Sequence, residues 1–198
     1  DPLRVDTPAA VSRRHAALAP EEPLIAMLRA GVELIVLPEN PVAGVAMLAR
    51  HDGRIILVRG AIPGETVRVR IERVSKGVGH AVALAALAPH ADRREPPVDP
   101  ACGGNAFAHI AYARQLTLKG EIVADAFARI AGVALDQPVR VTGSPERGFR
   151  MRARFHVHGP RAGFYREGTH QLCDAATSGQ LQPAAAAAAQ AVVDRLLA

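Results

Sequence analysis

Turn signals divide residues 51 to 79 so closely that only short strands fit between them. His51-Asp52-Gly53, Gly60-Ala61-Ile62-Pro63-Gly64-Glu65 and Ser75-Lys76-Gly77-Val78-Gly79 place Gly, Asp or Pro where a chain reverses. Around them Val32 to Leu37, Arg54 to Val58, Thr66 to Glu72 and His80 to Leu87 read as strands. Side chains alternate across a strand, so Val67, Val69 and Ile71 should point inward and Arg68 and Arg70 outward. Short strands at this spacing predict a small closed antiparallel β-barrel over residues 32–89. Arg93-Arg94-Glu95-Pro96-Pro97-Val98-Asp99-Pro100 breaks the pattern and reads as a linker into a second unit, 90–198.

The segment before the barrel, residues 1–31, is rich in Ala, Pro and Arg and lacks the apolar core of a secretory signal. It reads as a flexible extension with a short helix at Leu24 to Arg29. No apolar run approaches the length that spans a bilayer, so the expected setting is the cytoplasm, without a membrane partner. Two cysteines, Cys102 and Cys173, make no disulfide framework and fit a reducing compartment.

In the second unit Ile110, Leu116, Ile122, Val123, Phe127 and Ile130 recur at near-helical spacing, predicting a long helix near 110–131 that Gly132 could end. The stripe fits core packing and docking equally well. Tyr112, Gln115 and Lys119 fall on one face of that helix. Further on, Phe149-Arg150-Met151-Arg152-Ala153-Arg154-Phe155-His156-Val157-His158 alternates apolar and basic residues. As a strand it would bury the odd positions and line the other face with three arginines and two histidines about 6.6 Å apart, at a rise of about 3.3 Å per residue. Arg offers phosphate a planar five-donor fork, so this face suits a polyanion; the plainer reading is a solvated face. An Ala-rich helix begins near Pro183 and reaches Ala198 without a capping Gly or Asn, so it reads as truncated.

Charge agrees with a polyanionic partner. The 198 residues hold 24 Lys or Arg against 19 Asp or Glu, a net +5. Residues 140 to 166 carry seven arginines against Glu146 alone, and residues 50 to 94 carry eight plus Lys76 against four acids.

Gly44-Val45-Ala46, Asp52-Gly53-Arg54, Gly60-Ala61-Ile62-Pro63-Gly64-Glu65 and Ser75-Lys76-Gly77 resemble a TRAM domain, a small OB-like RNA-binding barrel. Cys102-Gly103-Gly104, Tyr112-Ala113-Arg114-Gln115 with Lys119, the arginine run, and Gly163-Phe164-Tyr165-Arg166 follow in the order of bacterial RNA uracil-C5 methyltransferases. The resemblance covers about residues 32 to 185. It implies an α+β fold: the OB-like barrel followed by an α/β central domain. It also implies RNA, ribosomal or transfer, as partner of a monomeric chain. The expected RNA-binding set is Arg54, Arg68, Arg70, Lys76, Arg150, Arg152, Arg154, His156 and Arg166.

Two departures from the family pattern limit the resemblance. Many members hold an iron–sulfur cluster on four cysteines. Cys102 fits the second ligand position, the third falls at Asn105, the fourth at Ser178, and none precedes Cys102 among Pro96 to Ala101. No cluster is therefore expected, and Cys102 reads as a remnant packed as a small hydrophobe. A zinc site on His156, His158, His170 and Cys173 is a weaker alternative, since no local spacing fits structural zinc. The family's C-terminal half, which binds S-adenosylmethionine and supplies the nucleophilic cysteine, has no counterpart in these motifs. The chain reads as the N-terminal portion of such an enzyme, inactive alone and not binding the cofactor, with no catalytic residue of its own. The alternative is a stand-alone, non-catalytic RNA-binding protein.

Overall fold

The structure, a computed structural model, is described for residues 28–198. The expected extension before Leu28, and most of the helix expected at Leu24 to Arg29, lie outside the described residues; Leu28 and Arg29 are not helical.

Six strands form the first sheet: β1 (Glu33–Val36), β2 (Asn40–Val42), β3 (Ala46–His51), β4 (Arg54–Arg59), β5 (Thr66–Ser75) and β6 (Val78–Ala88). Their order is β1-β5-β6-β4-β3-β2, antiparallel throughout except the parallel β4–β6 pair. The two turns flagged by Gly are tight. Asp52 and Gly53 (φ 48° and 71°) and Lys76 and Gly77 (φ 51° and 79°) pair left-handed residues, as a two-residue hairpin requires. Val67, Val69 and Ile71 are fully buried and Arg68 and Arg70 exposed, as the alternation of β5 predicts. Leu28 packs against this core, in space that Gly79 leaves free: a Cβ there would lie 2.4 Å from a Leu28 methyl.

The sheet curls but does not close. Its edges are β1 and β2, and β2 is three residues long with Pro41 at its centre, which has no N–H to donate. The expected closed barrel is therefore a half-barrel.

The expected linker is a weld. Arg93 reaches back to Glu65, which has no exposed surface, with Nε and a terminal nitrogen 2.5 and 2.6 Å from the two carboxylate oxygens. Arg93 also donates to the Gly60 carbonyl (2.8 Å), and its backbone bridges to Ile110. Arg94 donates to the Ala108 carbonyl and pairs with Glu146. Phe107, Ile110 and Leu118 then join the same hydrophobic core as the sheet.

Helix α1 (Tyr112–Ala126) continues as one π-turn, Phe127–Ala131, and ends at Gly132 in the left-handed conformation (φ 67°). Core packing accounts for only part of its stripe. The first turns are core, with Leu118 buried, whereas Val123, Phe127 and Ile130 are exposed, Ile130 at 83%. A second sheet has the order β7 (His156–His158), β8 (Arg161–Tyr165), β9 (Leu172–Asp174), all antiparallel. Helix α2 (Pro183–Leu197) starts on Pro at its first turn and buries Val193.

The arginine run is the main departure. Only His156–His158 of the expected strand 149–158 pairs; Arg150 makes one isolated bridge to Leu181. The edge of β8 that a longer β7 would need is taken by the Cys102 turn. Gly103 N–H donates to the Tyr165 carbonyl (3.2 Å) and Cys102 bridges Arg166. Without a partner the alternation has no buried face, and Met151 is 70% exposed.

Candidate nucleic-acid interface

The expected residues fall in three places. Arg68 and Arg70 share the outer face of β5, beside Ile35 of β1, which is exposed on the same face. Arg54 and Lys76 sit at one end of the half-barrel, because the register Ile56↔Gly79 sets their two turns side by side. Arg150, Arg152, Arg154 and His156 lie on or beside the second sheet. Their common arginine face does not form as a ladder: Arg152 and Arg154 are exposed in irregular chain, whereas Arg150 is half-buried. Its guanidinium stands 5.8 Å from the Phe149 ring centre and 5.6 Å from that of Phe164.

Ion pairing separates these cations from the structural ones. Arg59 bridges Glu72 and Glu167, Arg93 holds Glu65, and Arg166 is held by Asp99 at 2.9 Å. Arg54, Arg68, Arg70, Lys76, Arg150, Arg152 and Arg154 have no carboxylate partner among the described residues. Arg166 differs from the rest of the expected set in being paired, with Asp99 beside the Cys102 turn.

A cluster around Tyr165 escaped the sequence reading. His156 stacks on its ring (centres 3.7 Å apart, 14° between planes), His158 Nε2 lies 3.4 Å from its hydroxyl, and His170 meets its edge. The alternation of Gly163-Phe164-Tyr165-Arg166, which sends Tyr165 and Gly163 to one face, was the available signal. The residues weighed for zinc are otherwise engaged: the three imidazoles pack on one phenol ring and Cys173 is in a disulfide. Among the described residues no group of three or more His, Cys, Asp or Glu side chains is placed to hold a metal.

Cys102 is not a free remnant: it is bonded to Cys173, so the two cysteines do form a disulfide, across 71 residues. The positions matched to the cluster ligands do converge. Asn105 Nδ2 donates to the Ser178 carbonyl (3.0 Å) and the Asp99 carbonyl (3.3 Å), and Cys102 is 2% exposed beside them. A carboxamide, a hydroxyl and a disulfide sulfur offer no set of thiolates, so these residues do not fit an iron–sulfur cluster.

A cleft of about 460 Å³ opens between the Gly44 loop, the Cys102 turn and the Tyr112, Gln115 and Lys119 face of α1. These three helix residues do share a face, as their spacing predicts. The cleft's two carboxylates are both occupied, Glu146 by Arg94 and Glu167 by Arg59. Arg94 holds the Glu146 carboxyl below the ordinary range.

Residues 28–84 match the TRAM domain family, which defines the class of the half-barrel. The chain is 37% identical over 123 residues to a 23S rRNA (uracil(1939)-C(5))-methyltransferase RlmD of Alkalilimnicola ehrlichii, covering 59% of this chain and 27% of that one. It is 31% identical over 161 residues to an uncharacterised RNA methyltransferase of Corynebacterium efficiens, covering 79% and 38%. Its fold is that of the Pyrococcus abyssi tRNA (uracil-54, C5)-methyltransferase crystallised with S-adenosyl-L-homocysteine: TM-score 0.50, 24% identity, 81% of this chain and 35% of that one. The chain is a TRAM-containing relative of the RNA uracil-C5 methyltransferases. It spans about three tenths of the length of the curated relatives it matches.

Proposed function

We propose that this chain is the RNA-binding portion of an S-adenosylmethionine-dependent RNA uracil-C5 methyltransferase acting on ribosomal or transfer RNA. The observation that carries the reading is the division of its cations: those that weld the fold are paired, whereas exposed Arg68, Arg70, Arg152 and Arg154 have no carboxylate partner among the described residues. Free guanidinia on exposed chain suit phosphates, and exposed His156, stacked on half-buried Tyr165, suits a splayed base. The cofactor supplies the methyl group; the residues described here hold RNA. No catalytic role is assigned to any of them.

The test is affinity for single-stranded RNA across a salt series. Each neutralised phosphate contributes about −0.7 to the logarithmic salt slope. Replacing Arg68, Arg70, Arg152 and Arg154 by Ala should flatten the slope by up to about 3 units, with the melting temperature retained. An unchanged slope would mean that these faces are merely solvated. A second expectation is that residues 1–198 alone do not bind S-adenosylmethionine; saturable heat in calorimetry would refute it.

A further inference from the structure

The Cys102–Cys173 disulfide lies where it can act on the face just described. Cys102 is held in its turn by a hydrogen bond from its N–H to the Asp99 carbonyl (3.1 Å) and by one from Asn105 N–H to its own carbonyl (3.0 Å). Cys173 lies on β9, opposite Phe164 of β8. The same turn grips β8 twice more, through Gly103 N–H on the Tyr165 carbonyl and Arg166 on Asp99. The disulfide thus clamps the segment carrying Tyr165, on which His156 stacks. It is also reachable: Cys102 lines the 460 Å³ cleft, and Cys173 is half-buried.

Opening the bond would not release the turn altogether. Asn105 still donates to the Ser178 carbonyl, and Gln180 Nε2 still donates to the Gly103 carbonyl (2.7 Å). What is lost is the only covalent tie between the turn and β9. A clamp with hydrogen-bonded reserves can relax without unfolding.

We propose that Cys102–Cys173 is a reversible thiol–disulfide site, taking a dithiol reductant, that sets the order of the β8–β9 edge and with it RNA affinity. A reductant thiolate attacks Sγ of the half-buried Cys173. This forms a mixed disulfide and releases the Cys102 sulfur, which takes a proton. The reductant's second thiolate attacks its own sulfur in the mixed disulfide and releases Cys173, which is protonated in turn. The reductant leaves as its disulfide, so two electrons and two protons have passed to the protein. An oxidised dithiol reverses the steps.

The RNA part of this inference rests on the proposed function; the redox part does not. The full chain purified without reductant should titrate no free thiol when denatured, and two per chain after reduction. Reduction should lower the melting temperature by several degrees. It should also speed proteolysis within residues 161–174 and weaken single-stranded RNA binding several-fold, all restored by reoxidation. The Cys102→Ser/Cys173→Ser variant should show the reduced values and ignore the reductant. Two free thiols in the unreduced protein, or identical melting and proteolysis in both states, would overturn the site. Redox-dependent proteolysis with no RNA binding in either state would overturn the RNA reading and the RNA clause here, and leave the thiol–disulfide site standing.

Discussion

Glu65 has no exposed surface and yet remains ionised. Burial pushes its carboxyl up, but the Arg93 guanidinium and the N–H groups of His90 and Ile62 outweigh that and hold it below its ordinary 4.5. His109, nearby, is also buried, and burial pushes its imidazole below the ordinary 6.5 against the partial support of the Ala61 carbonyl. Both shifts have the same sign for stability. An unfolded His109 takes up a proton below about pH 6.5 that the folded one refuses, so stability falls as pH falls through that range. The contribution of Glu65 is present above pH 4.5 and is lost as pH falls from there toward its folded value. His109→Gln, which keeps a donor for Ala61, should remove from a melting-temperature profile the loss that sets in as pH falls through about 6.5. A profile unaltered in that range would assign the loss to another group. At this scale the sequence was informative about positions and silent about bonds. Asn105 and Ser178 were matched to one site by resemblance, and they meet in space. The Cys102–Cys173 bond joins residues 71 apart, a separation no local pattern encodes. In the chain-entropy account, closing that loop stabilises by up to about 4 kcal/mol.

Among the elements, β4, β5 and β6 were legible because tight left-handed turns bound them and alternation fixes their faces. The β2–β3 pair was not. Ala46-Met47-Leu48-Ala49 is continuously apolar, which signals burial without a period, and Pro41 argues against a strand until an edge position is known. Residues 149–155 show the opposite failure, a strong period with no partner. Alternation says which way side chains would point in a sheet; it does not supply the neighbouring backbone, and here the Cys102 turn holds it. Read as a strand, Met151 faces the core and Met151→Asp should unfold the domain. Its 70% exposure predicts otherwise: Met151→Asp should cost within about 0.5 kcal/mol. Val69→Asp, on β5 with no exposed surface, should abolish the folded state by burying an unpaired charge. Parallel thermal melts of the two variants decide it; a collapsed Met151→Asp would restore the strand.

Across the whole molecule, the half-barrel and the segment after it share one core. Phe107, Ile110 and Leu118 belong to it as fully as Val67 or Ile71. The Pro-rich stretch at 93–100 misled because its composition is that of a linker, whereas two arginines, Arg93 and Arg94, determine its role. Residues 28–89 expressed alone should therefore melt far below the full chain. They lose three core side chains and leave Glu65 buried without its cation, a defect that alone costs about 3–5 kcal/mol when a buried pair is broken. Equal melting temperatures would show that the seam carries no load. The same seam constrains inheritance. A barrel passed to another gene with its border at residue 89 would arrive with a bare carboxylate and an unsealed floor. Any viable recombinant must therefore carry the following segment through Leu118, or find a new cation for Glu65.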